Sequence, residues 1–588
     1  MVTMRVLPPS WMTRAADKRA DTLNKIRPEW RLSSQDLARA EKQRDLTGPF
    51  IQQFLDTDEI SIIAMDSIQL VDDIREAKLT AVQVTGAFCK TAAIAHQINN
   101  CLHEIFFDEA LEHAAWLDAQ FAKNRSTVGP LHGLPISLKD QFHVKGVDTT
   151  MGYIGWIGSN LGISDPKQVH KVESQITTEL LSLGAVLYCK TSLPQTLLLG
   201  ETKNNLIGET LNPKNRHLSC GGSSGGEGAL QALRGSSLGL GTDIGGSVRI
   251  PAAFNGIYSL KPTPERLSYR FVANNNPGEN TYRSTVGILS TSLGGLDLLL
   301  RADLSTKPWL KDPAVIPMPF RDEIASEYGL RANPDGTANS AVALKLGVLW
   351  TDGAVQPHPP ITRGLKIVVE AMRSAGHKVV DWNPPDQTIG REIHLAFLHA
   401  DGAHDIRKHL PKPWAFGTFF RGWNYEQLAL SGEPLIPDLQ KSFKLKEPMD
   451  LLRYQDLTLK GQIVDAVIMP VAPHAAVIPG KYYHTGYTAV INLLNYSAVV
   501  IPVTRADKHI DIIDDSYRPS NDVDRMNWDA YDPEIYDSGP VGLQIVARKF
   551  EEEKVLSIAK IIVSAMETWE AKKKKATLSA DDRIGETP

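Results

Sequence analysis

Apolar positions along the chain repeat with a helical period in some segments and form short continuous runs in others. An apolar stripe predicts a helix over 81–97, and the spacing of Thr80 and Gln83 suits a capping box at its start. The stripe consists of Val84, Ala87, Phe88, Ala95 and Ile98. Further helices are expected over 107–123, 170–183 and 361–375.

Short apolar runs predict the strands of a buried sheet. One run, 134–139, alternates apolar Ile136 and Leu138 with polar residues. Lys139 therefore falls at the end of a strand. Similar runs predict strands at 185–189, 344–350, 379–382, 466–469, 498–503 and 541–546. Strands and helices alternate, which favours an α/β class with α/β/α layers, in which a large mixed central sheet is flanked by helices.

The length of the chain, 588 residues with 42% hydrophobic content, allows a large core built on one wide sheet. Residues 1–58 are charged and helix-prone, so we expect a helical extension at the amino terminus. One main domain is expected over 59–572, with its core at about 129–263 and substrate-pocket insertions at about 265–460. The last residues, 573–588, are expected to form a flexible tail.

Acidic and basic residues nearly balance, with 68 Asp and Glu against 63 Lys and Arg for a net charge of -5. Nucleic acid is therefore not expected as a partner, because proteins that bind it concentrate positive charge. The basic run 572–575 is expected on a solvated helix face. Four scattered cysteines indicate a reducing compartment, and no stretch approaches the roughly 18 apolar residues of a membrane span. We expect a cytoplasmic protein with no integral membrane segment.

Four histidines recur every five residues and raise the question of a metal site. Successive members would turn by about 140° on a helix, so they do not share a face, and no HExxH pattern occurs. We expect no metal and interpret the segment as a polar helix near the surface. The four are His394, His399, His404 and His409.

Two glycine-flanked serine sites lie close together, at 220–226 and 243–249. The glycines between them give GxGxxxG rather than the GxGxxG of dinucleotide sites, although the exposed backbone N–H groups would suit an oxyanion. The stretch 221–225 also matches GxSxG, the nucleophile elbow, which would make Ser223 the nucleophile. That motif needs a strand directly before it, and 213–219 has the composition of a loop.

Read together, GPLHGLPISLKDQF at 129–142 and CGGSSGGEGALQALRGSSLGLGTDIGGSVRIPAAFNGIYSLKPT at 220–263 resemble the amidase signature family. The resemblance extends over about 75–570 and would make the main domain an amidase signature domain with the layered fold expected above. It is closest in look to the fungal-type general amidases of the acetamidase group and also resembles fatty acid amide hydrolases. Gln141 and Gln195 stand where relatives often have other polar residues.

The resemblance implies a catalytic triad in which Ser247 is the nucleophile, Ser223 the bridging serine and Lys139 the base, with a cis peptide bond at the bridging serine and no cofactor. The chemistry also requires such a base, because a serine hydroxyl must lose its proton as it attacks. Lysine is charged at neutral pH, so the site must lower its pKa by about three units. Burial beside Ile136 and Leu138 could do so.

The resemblance also implies the residues around the triad. The backbone N–H groups of four residues would bind the oxyanion: Ile244, Gly245, Gly246 and Ser247. Four further residues would support the catalytic turns: Ser224, Thr242, Asp243 and Arg249. Leu197 would line the acyl or leaving-group channel, and Ser223 would also contact the substrate. Pocket candidates by position, with core packing as the alternative, are Tyr487, Asn492 and Tyr496.

The function implied is hydrolysis of a carboxylic acid amide C–N bond through a Ser247 acyl-enzyme, which gives a carboxylate and ammonia or an amine. The partner is then a small-molecule amide, and a homodimer is left open. One alternative is the glutaminase subunit of the transamidosome, which the large insertions and the amino-terminal extension disfavour. Another is a catalytically silent binding protein, which the presence of Lys139, Ser223 and Ser247 disfavours.

Overall fold

An eleven-stranded mixed sheet runs through the protein in the computed structural model, which describes residues 10–275, 282–332, 338–340, 342–384, 387–398, 406 and 463–584. Its strand order is β1-β3-β2-β6-β8-β7-β14-β15-β13-β11-β12, and two small two-stranded sheets lie outside it. The strands are β1 (Leu102–Ile105), β2 (Pro135–Lys139), β3 (Val186–Thr191), β4 (Lys203–Asn204), β5 (Gly208–Glu209), β6 (Leu238–Asp243), β7 (Tyr258–Lys261), β8 (Thr285–Ser290), β9 (Leu330–Ala332), β10 (Ala338–Ser340), β11 (Lys345–Val348), β12 (Lys378–Asp381), β13 (Ala466–Pro470), β14 (Ser497–Arg505) and β15 (Pro540–Ala547).

Helices flank this sheet and cover the apolar faces of its strands. Those of the described residues are α1 (Trp11–Asn24), α2 (Ser34–Lys42), α3 (Pro49–Gln52), α4 (Thr57–Ala64), α5 (Ser67–Arg75), α6 (Ala81–Asn99), α7 (Phe107–Asn124), α8 (Gln175–Ser182), α9 (Gly225–Ala232), α10 (Arg249–Asn255), α11 (Leu293–Ser305), α12 (Asp322–Glu327), α13 (Pro359–Ser374), α14 (Gln387–Leu398), α15 (Gly486–Leu493), α16 (Asp522–Asp529), α17 (Pro533–Tyr536) and α18 (Glu552–Ile584). The α/β class and the large mixed sheet expected from the sequence are confirmed.

The predicted helix over 81–97 is α6, and its start is the capping box expected from the sequence. Thr80 Oγ accepts the backbone N–H of Gln83 at 3.1 Å, and the Gln83 side chain accepts the backbone N–H of Thr80 at 2.9 Å. The strands predicted from apolar runs are also present as β2, β3 and β11 to β15. Apolar periodicity thus located most of the sheet.

The segment 265–460, where pocket insertions were expected, contributes core elements. Strands β8, β11 and β12 belong to the central sheet, and β8 pairs antiparallel with β6 along its whole length. Many of the described residues in this range are therefore framework, since their apolar side chains are buried in the main core. The final helix likewise continues to Ile584, into the range 573–588 where a flexible tail was expected.

The amino-terminal helix α1 is tied to the sheet through one lysine. Lys18 Nζ lies 2.7 Å from Glu104 Oε1 on β1 and 3.0 Å from Asp148 Oδ2. Burial alone would lower the pKa of Lys18, but these two carboxylates raise it above its usual value. None of the described helices combines the length and apolar character that crossing a membrane would need.

Strands β2 and β6 place two polar ends at one edge of the sheet. They pair in parallel, with Ser137 opposite Gly239 and Leu138 opposite Leu240. Parallel neighbours end at the same edge, so Lys139 at the end of β2 comes beside Thr242 at the end of β6. The loop that precedes α9 and the loop that follows β6 gather at this edge.

Candidate active site

Lys139 lies at the end of β2 with its side chain fully buried. Its Nζ lies 2.8 Å from Ser223 Oγ and 2.9 Å from Thr242 Oγ1. Burial lowers the pKa of Lys139 well below its usual range, although the negative charges of Asp243 and Glu227 act in the opposite direction. A lysine that contacts hydroxyl groups and is shielded from water can be neutral, and a neutral amine can accept a proton.

The loop that carries Ser223 approaches Lys139 from the start of α9. The peptide bond between Gly222 and Ser223 is cis, as expected from the sequence. The residues 213–219 before it contain no strand, apart from an isolated bridge between Leu211 and Ser219. The nucleophile elbow therefore lacks the strand that the GxSxG motif requires.

The glycines of β6 are required by close contact with α9. A Cβ at Gly239 would stand 2.0 Å from Glu227 Oε2, and one at Gly241 would stand 2.6 Å from Ser224 Oγ. Strand and helix can approach this closely only without side chains at these positions. This contact explains the GxGxxxG spacing, since both glycines lie inside a strand rather than in a phosphate-binding turn.

Glu227 is a buried carboxyl group behind the lysine that sequence reasoning missed. It accepts hydrogen bonds from Ser137 Oγ at 2.6 Å and from Thr191 Oγ1 at 2.8 Å. Burial raises the pKa of Glu227 to about 7. Because its charge acts on Lys139, the two groups are linked electrostatically.

Ser247 follows the end of β6 in a second turn that contacts the first. The backbone N–H of Ser224 donates to the carbonyl of Ser247 at 3.0 Å. The side-chain oxygen of Ser224, also buried, lies 3.4 Å from both the N–H and the carbonyl of Thr242. The predicted site residues of both serine loops thus lie together at the sheet edge where β2 ends with Lys139.

The backbone N–H groups of the Ser247 turn have different partners. That of Gly246 donates to Asp243 Oδ1 at 2.8 Å, so this expected oxyanion donor is engaged within the fold. Within the described residues, the N–H groups of Ile244, Gly245 and Ser247 have no acceptor. Gly246 has φ of +122°, a conformation that side chains disfavour, and a Cβ there would stand 2.5 Å from Thr488 Oγ1.

Two side chains hold the carbonyl groups of the same turn. Thr488 Oγ1 donates to the carbonyl of Gly245 at 2.6 Å, and His394 Nε2 lies 2.8 Å from the carbonyl of Ile244. Since a carbonyl only accepts, His394 must carry its proton on Nε2. These contacts fix the orientation of the peptide planes whose N–H groups face the other way.

The interpretation of His394 as part of a polar surface helix was wrong. His394 is only 3% exposed, because α14 packs against α15, and its ring stacks on Tyr282 at 4.6 Å between centroids. The other three histidines of the pattern, His399, His404 and His409, lie outside the described residues. Among the described residues, no three His, Cys, Asp or Glu side chains come together as metal ligands.

A fully buried ion pair between Asp243 and Arg249 supports the Ser247 turn. Arg249 Nε lies 3.0 Å from Asp243 Oδ2, and Arg249 also donates to Gln544 Oε1 at 2.9 Å and to Asn492 Oδ1 at 2.5 Å. Burial alone would raise the pKa of Asp243, but Arg249 lowers it below its usual range. Asp243 is thus ionised and holds both Arg249 and the N–H of Gly246.

The space in front of Ser247 has mostly aliphatic walls. Leu197 lines it together with Ser247, as do Leu198, Leu199, Gly200, Gly222, Ile244, Gly245, Ile250, His394, Leu395, Leu398 and Thr485. Of the three other pocket candidates, Tyr487 is buried in a core cluster and donates to the carbonyl of Val355 at 2.6 Å. Tyr496 belongs to the same cluster, and Asn492 belongs to the Arg249 network.

The sequence signal for the missed residues was weak. Gln544 lies in an apolar run that predicted β15, where a single polar residue at a buried position could have suggested a partner for a buried charge. Thr488 lies on a helix without a local motif, and no residue near it in the chain indicates contact with the catalytic turns. Glu227 lies four residues after Ser223, inside the stretch 220–263 that carries the family resemblance, but its position alone did not indicate a contact with Lys139.

Comparison with known proteins gives a consistent family. The family model described as "Amidase" matches residues 83–556. The acetamidase of Emericella nidulans is 40% identical over 573 residues, which cover 94% of this chain and 98% of that protein. Amidase 1 of Gibberella moniliformis is 37% identical and covers 85% of this chain and 92% of its own length.

Solved structures agree with these relatives. A structure of fatty acid amide hydrolase superposes with a TM-score of 0.83 at 30% identity, covering 95% of both chains. A bacterial aryl acylamidase of the amidase signature family superposes with a TM-score of 0.64 at 18% identity, covering 85% of this chain and 96% of that chain. At that identity the second likeness shows the fold alone.

Proposed function

This chain belongs to the amidase signature family and is an amide-hydrolysing enzyme, and we propose that it cleaves the C–N bond through an acyl-enzyme on Ser247. The observation that carries this proposal is the position of Lys139. Its buried Nζ lies 2.8 Å from Ser223 Oγ, and the Ser223 loop contacts the Ser247 turn.

In the first half of the proposed reaction, Ser247 Oγ attacks the amide carbonyl carbon. Its proton passes to Ser223 Oγ while the Ser223 proton passes to neutral Lys139, so the lysine becomes an ammonium group. The carbonyl oxygen becomes an oxyanion. When the C–N bond breaks, the proton returns from Lys139 through Ser223 to the nitrogen, and ammonia or an amine leaves.

In the second half, a water molecule replaces the amine. It gives its proton along the same path to Lys139 and attacks the ester carbon of the acyl-enzyme. Collapse of this second oxyanion breaks the bond to Ser247 Oγ, which takes back a proton, and the carboxylic acid leaves. The lysine is neutral again, so no external proton donor and no cofactor is needed.

The oxyanion would be stabilised by backbone N–H groups of the Ser247 turn. Those of Ile244, Gly245 and Ser247 are the candidates, because the N–H of Gly246 already donates to Asp243. Such donors work best when they are fixed in advance, and the contact from His394 to the carbonyl of Ile244 would fix the N–H of Gly245 in this way.

For the substrate we favour a short aliphatic amide. Two of the relatives are acetamidases at 40% and 39% identity over nearly their whole length. The free space that the described residues leave in front of Ser247 is about 40 Å3, which suits a small acyl group. A long-chain amide is the second candidate, supported by the TM-score of 0.83 with fatty acid amide hydrolase and by the leucine-lined wall.

The substrate is tested by measuring ammonia or amine release from acetamide, butyramide, acetanilide and oleamide at a common concentration. We expect kcat/KM to be largest for acetamide or butyramide. A larger value for oleamide would replace the first candidate by the second. Release of ammonia from glutamine alone would support the glutaminase alternative instead.

The nucleophile is tested with a fluorophosphonate probe followed by mass spectrometry of the labelled peptide. Label on Ser247 is the expected result, and Ser247→Ala should abolish it. Label on Ser223 in the native enzyme would support the nucleophile elbow. Folded protein that takes no label and releases no ammonia would support the catalytically silent alternative.

A further inference from the structure

Gln141 follows Lys139 by two residues and is fully buried. Its Nε2 donates to the carbonyl of Ala273 at 2.7 Å and lies 3.4 Å from the hydroxyl of Tyr269. Its Oε1 accepts the hydroxyl of Thr242 at 2.5 Å. Thr242 is the same residue whose oxygen lies 2.9 Å from Lys139 Nζ. Gln141 thus contacts the base through one intermediate hydroxyl.

The carbonyl of Ala273 determines the direction of each hydrogen bond in the series from Ala273 through Gln141 and Thr242 to Lys139. The carbonyl of Ala273 can only accept, so it requires the NH2 group of Gln141. The amide oxygen of Gln141 must then face Thr242, and an amide oxygen can also only accept. The Thr242 hydroxyl therefore donates its single proton to Gln141 and has only acceptor capacity left for Lys139.

This restriction decides what Lys139 presents to Ser223. A neutral lysine amine has two N–H bonds and one lone pair. Because the Thr242 oxygen can only accept, one lysine N–H points at Thr242. The lone pair is then free for the other hydrogen-bond partner of the amine, Ser223 Oγ at 2.8 Å. That is the orientation in which the lysine can take a proton from Ser223.

We propose that Gln141 is a positioning residue for the base, which holds the Thr242 proton away from Lys139 and so directs the lysine lone pair to Ser223. The inference rests on the proposed function, since it needs Lys139 to act as the base. Without Gln141, the Thr242 hydroxyl could turn and donate to the lone pair of Lys139. Ser223 would then lose its proton acceptor in part of the molecules.

The charged groups near Lys139 do not orient the Thr242 hydroxyl, so we assign this role to the neutral side chain of Gln141. The charges that act on Lys139 are Asp243 at the end of β6 and Glu227 on α9. Next along the chain, Asp140 is already paired, with Oδ1 2.9 Å from Lys190 Nζ and Oδ2 3.1 Å from His103 Nδ1. Tyr269, the titratable group in contact with both Gln141 and Thr242, has its pKa raised by burial and stays protonated at neutral pH.

The test is the variant Gln141→Met, which keeps the length of the side chain and removes its oxygen and nitrogen. We expect kcat for acetamide to fall by about ten- to a hundredfold with KM nearly unchanged, because substrate binding is not altered and proton transfer is. We also expect the acid limb of the pH–rate profile to move to lower pH. A hydrogen bond donated to the amine favours its neutral form and lowers its pKa.

The second variant is Thr242→Val, alone and combined with Gln141→Met. If Gln141 acts through Thr242, the double variant should lose no more activity than Thr242→Val alone. Gln141→Leu replaces Gln141→Met should the latter not fold. Gln195→Met is the matched control, because Gln195 contacts Asn205 rather than the catalytic residues, and it should leave both kcat and the pH profile unchanged.

The outcomes separate this inference from the proposed function. An active wild type whose kcat and pH profile are unchanged in Gln141→Met overturns the inference alone, as do additive losses in the double variant. A wild type that hydrolyses no amide and takes no label at Ser247 overturns the proposed function and this inference with it. A fall in kcat with an unmoved acid limb indicates a general structural defect and also overturns the inference.

Discussion

Lys139 and Arg249 are two fully buried basic side chains at the same edge of the sheet, and their surroundings differ. Arg249 contacts a carboxylate, two side-chain amides and the carbonyl of Thr488. Lys139 contacts the hydroxyls of Ser223 and Thr242. The positive charge of Arg249 is balanced by the carboxylate of Asp243. Lys139 contacts neutral hydroxyl groups, with which a neutral amine can also form hydrogen bonds.

The consequence is a division between support and chemistry. Around Asp243, the contact with Arg249 outweighs burial and lowers the pKa of the carboxyl group, so the ion pair is permanent and holds the Ser247 turn. Around Lys139, burial outweighs the charges of Asp243 and Glu227 and lowers the pKa of the amine. Both groups are buried, but their partners differ: the carboxyl group of Asp243 stays charged, and the pKa of the Lys139 amine is lowered toward its neutral form.

Replacing Lys139, the proposed base, should have the largest effect. Lys139→Met is expected to lower kcat/KM for amides by about a thousandfold or more, because no other described group in contact with Ser223 can accept its proton. The free energy of unfolding should not fall, since a buried amine is replaced by an apolar chain of similar length. Amide hydrolysis and thermal unfolding of the same preparation measure both.

Lys261→Met is the matched control for that variant. Lys261 is also buried, burial lowers its pKa to about 7, and its Nζ donates to the carbonyls of Pro262 and Tyr496 at 3.1 and 2.7 Å. Its loss should reduce stability while kcat stays within tenfold of the wild type. Equal losses of activity in the two variants would remove the distinction between base and support.

Breaking the support should chiefly reduce stability. Arg249→Met leaves Asp243 buried and ionised without its cation, which is expected to cost about 3–5 kcal/mol in the free energy of unfolding. Denaturant unfolding measures this cost. Adding Asp243→Leu should recover part of the stability but not the activity, because the acceptor for the Gly246 N–H is still missing. A stable and fully active Arg249→Met would contradict the supporting role.

His394 joins the two regions, since it is a pocket residue that fixes the oxyanion turn. His394→Ala should lower kcat by about ten- to a hundredfold, because the carbonyl of Ile244 loses its donor and the Gly245 N–H loses its fixed orientation. His394→Gln, which can donate through Nε2, should recover much of this loss. Steady-state kinetics on one small amide compares them, and equal activity in all three proteins would exclude the role.

A third buried titratable group, Asp303 on α11, extends the comparison, with the smallest expected effect. Burial and the neighbouring Glu179 carboxyl raise the pKa of Asp303 well above its usual range. The folded protein therefore binds a proton that the unfolded chain releases, and stability falls as pH rises from the ordinary Asp range toward alkaline pH. Asp303→Asn should stabilise the protein by about 1 kcal/mol at pH 8 and less at pH 5. Thermal melts at both values test this, and an equal shift at both would contradict it.

Sequence patterns predicted those parts of the fold that are locally apolar. Helix α6 and strands such as β2 and β15 have continuous or periodic apolar residues, and the structure contains them. Strand β6 was not predicted, because Gly239 and Gly241 disfavour a strand in isolation and are required only by contact with α9. Strand β8 lies in a segment rich in Asn, Pro, Gly and Ser, whose composition concealed it.

The residues of the candidate site likewise fall into those that the sequence predicted and those that it did not. The resemblance to a known family identified Lys139, Ser223 and Ser247, and the structure brings the first two into contact although they are 84 residues apart. His394 and Gln544 could not be predicted, because they reach the Ser247 turn from elements 150 and 295 residues away along the chain. Contacts between residues so far apart in the sequence produce no local pattern, such as a periodicity or a fixed spacing, from which they could be predicted.

The 295 residues that separate Arg249 from Gln544 along the chain also affect when the site can form during synthesis. Synthesis proceeds from the amino terminus, so Lys139, Ser223 and Ser247 emerge from the ribosome long before the strand that completes the Arg249 network. During that interval Asp243 and Arg249 lack two of the amides that surround them in the finished protein. A nascent or truncated chain can therefore contain all three residues of the proposed triad and still lack the formed site until β15 has been translated.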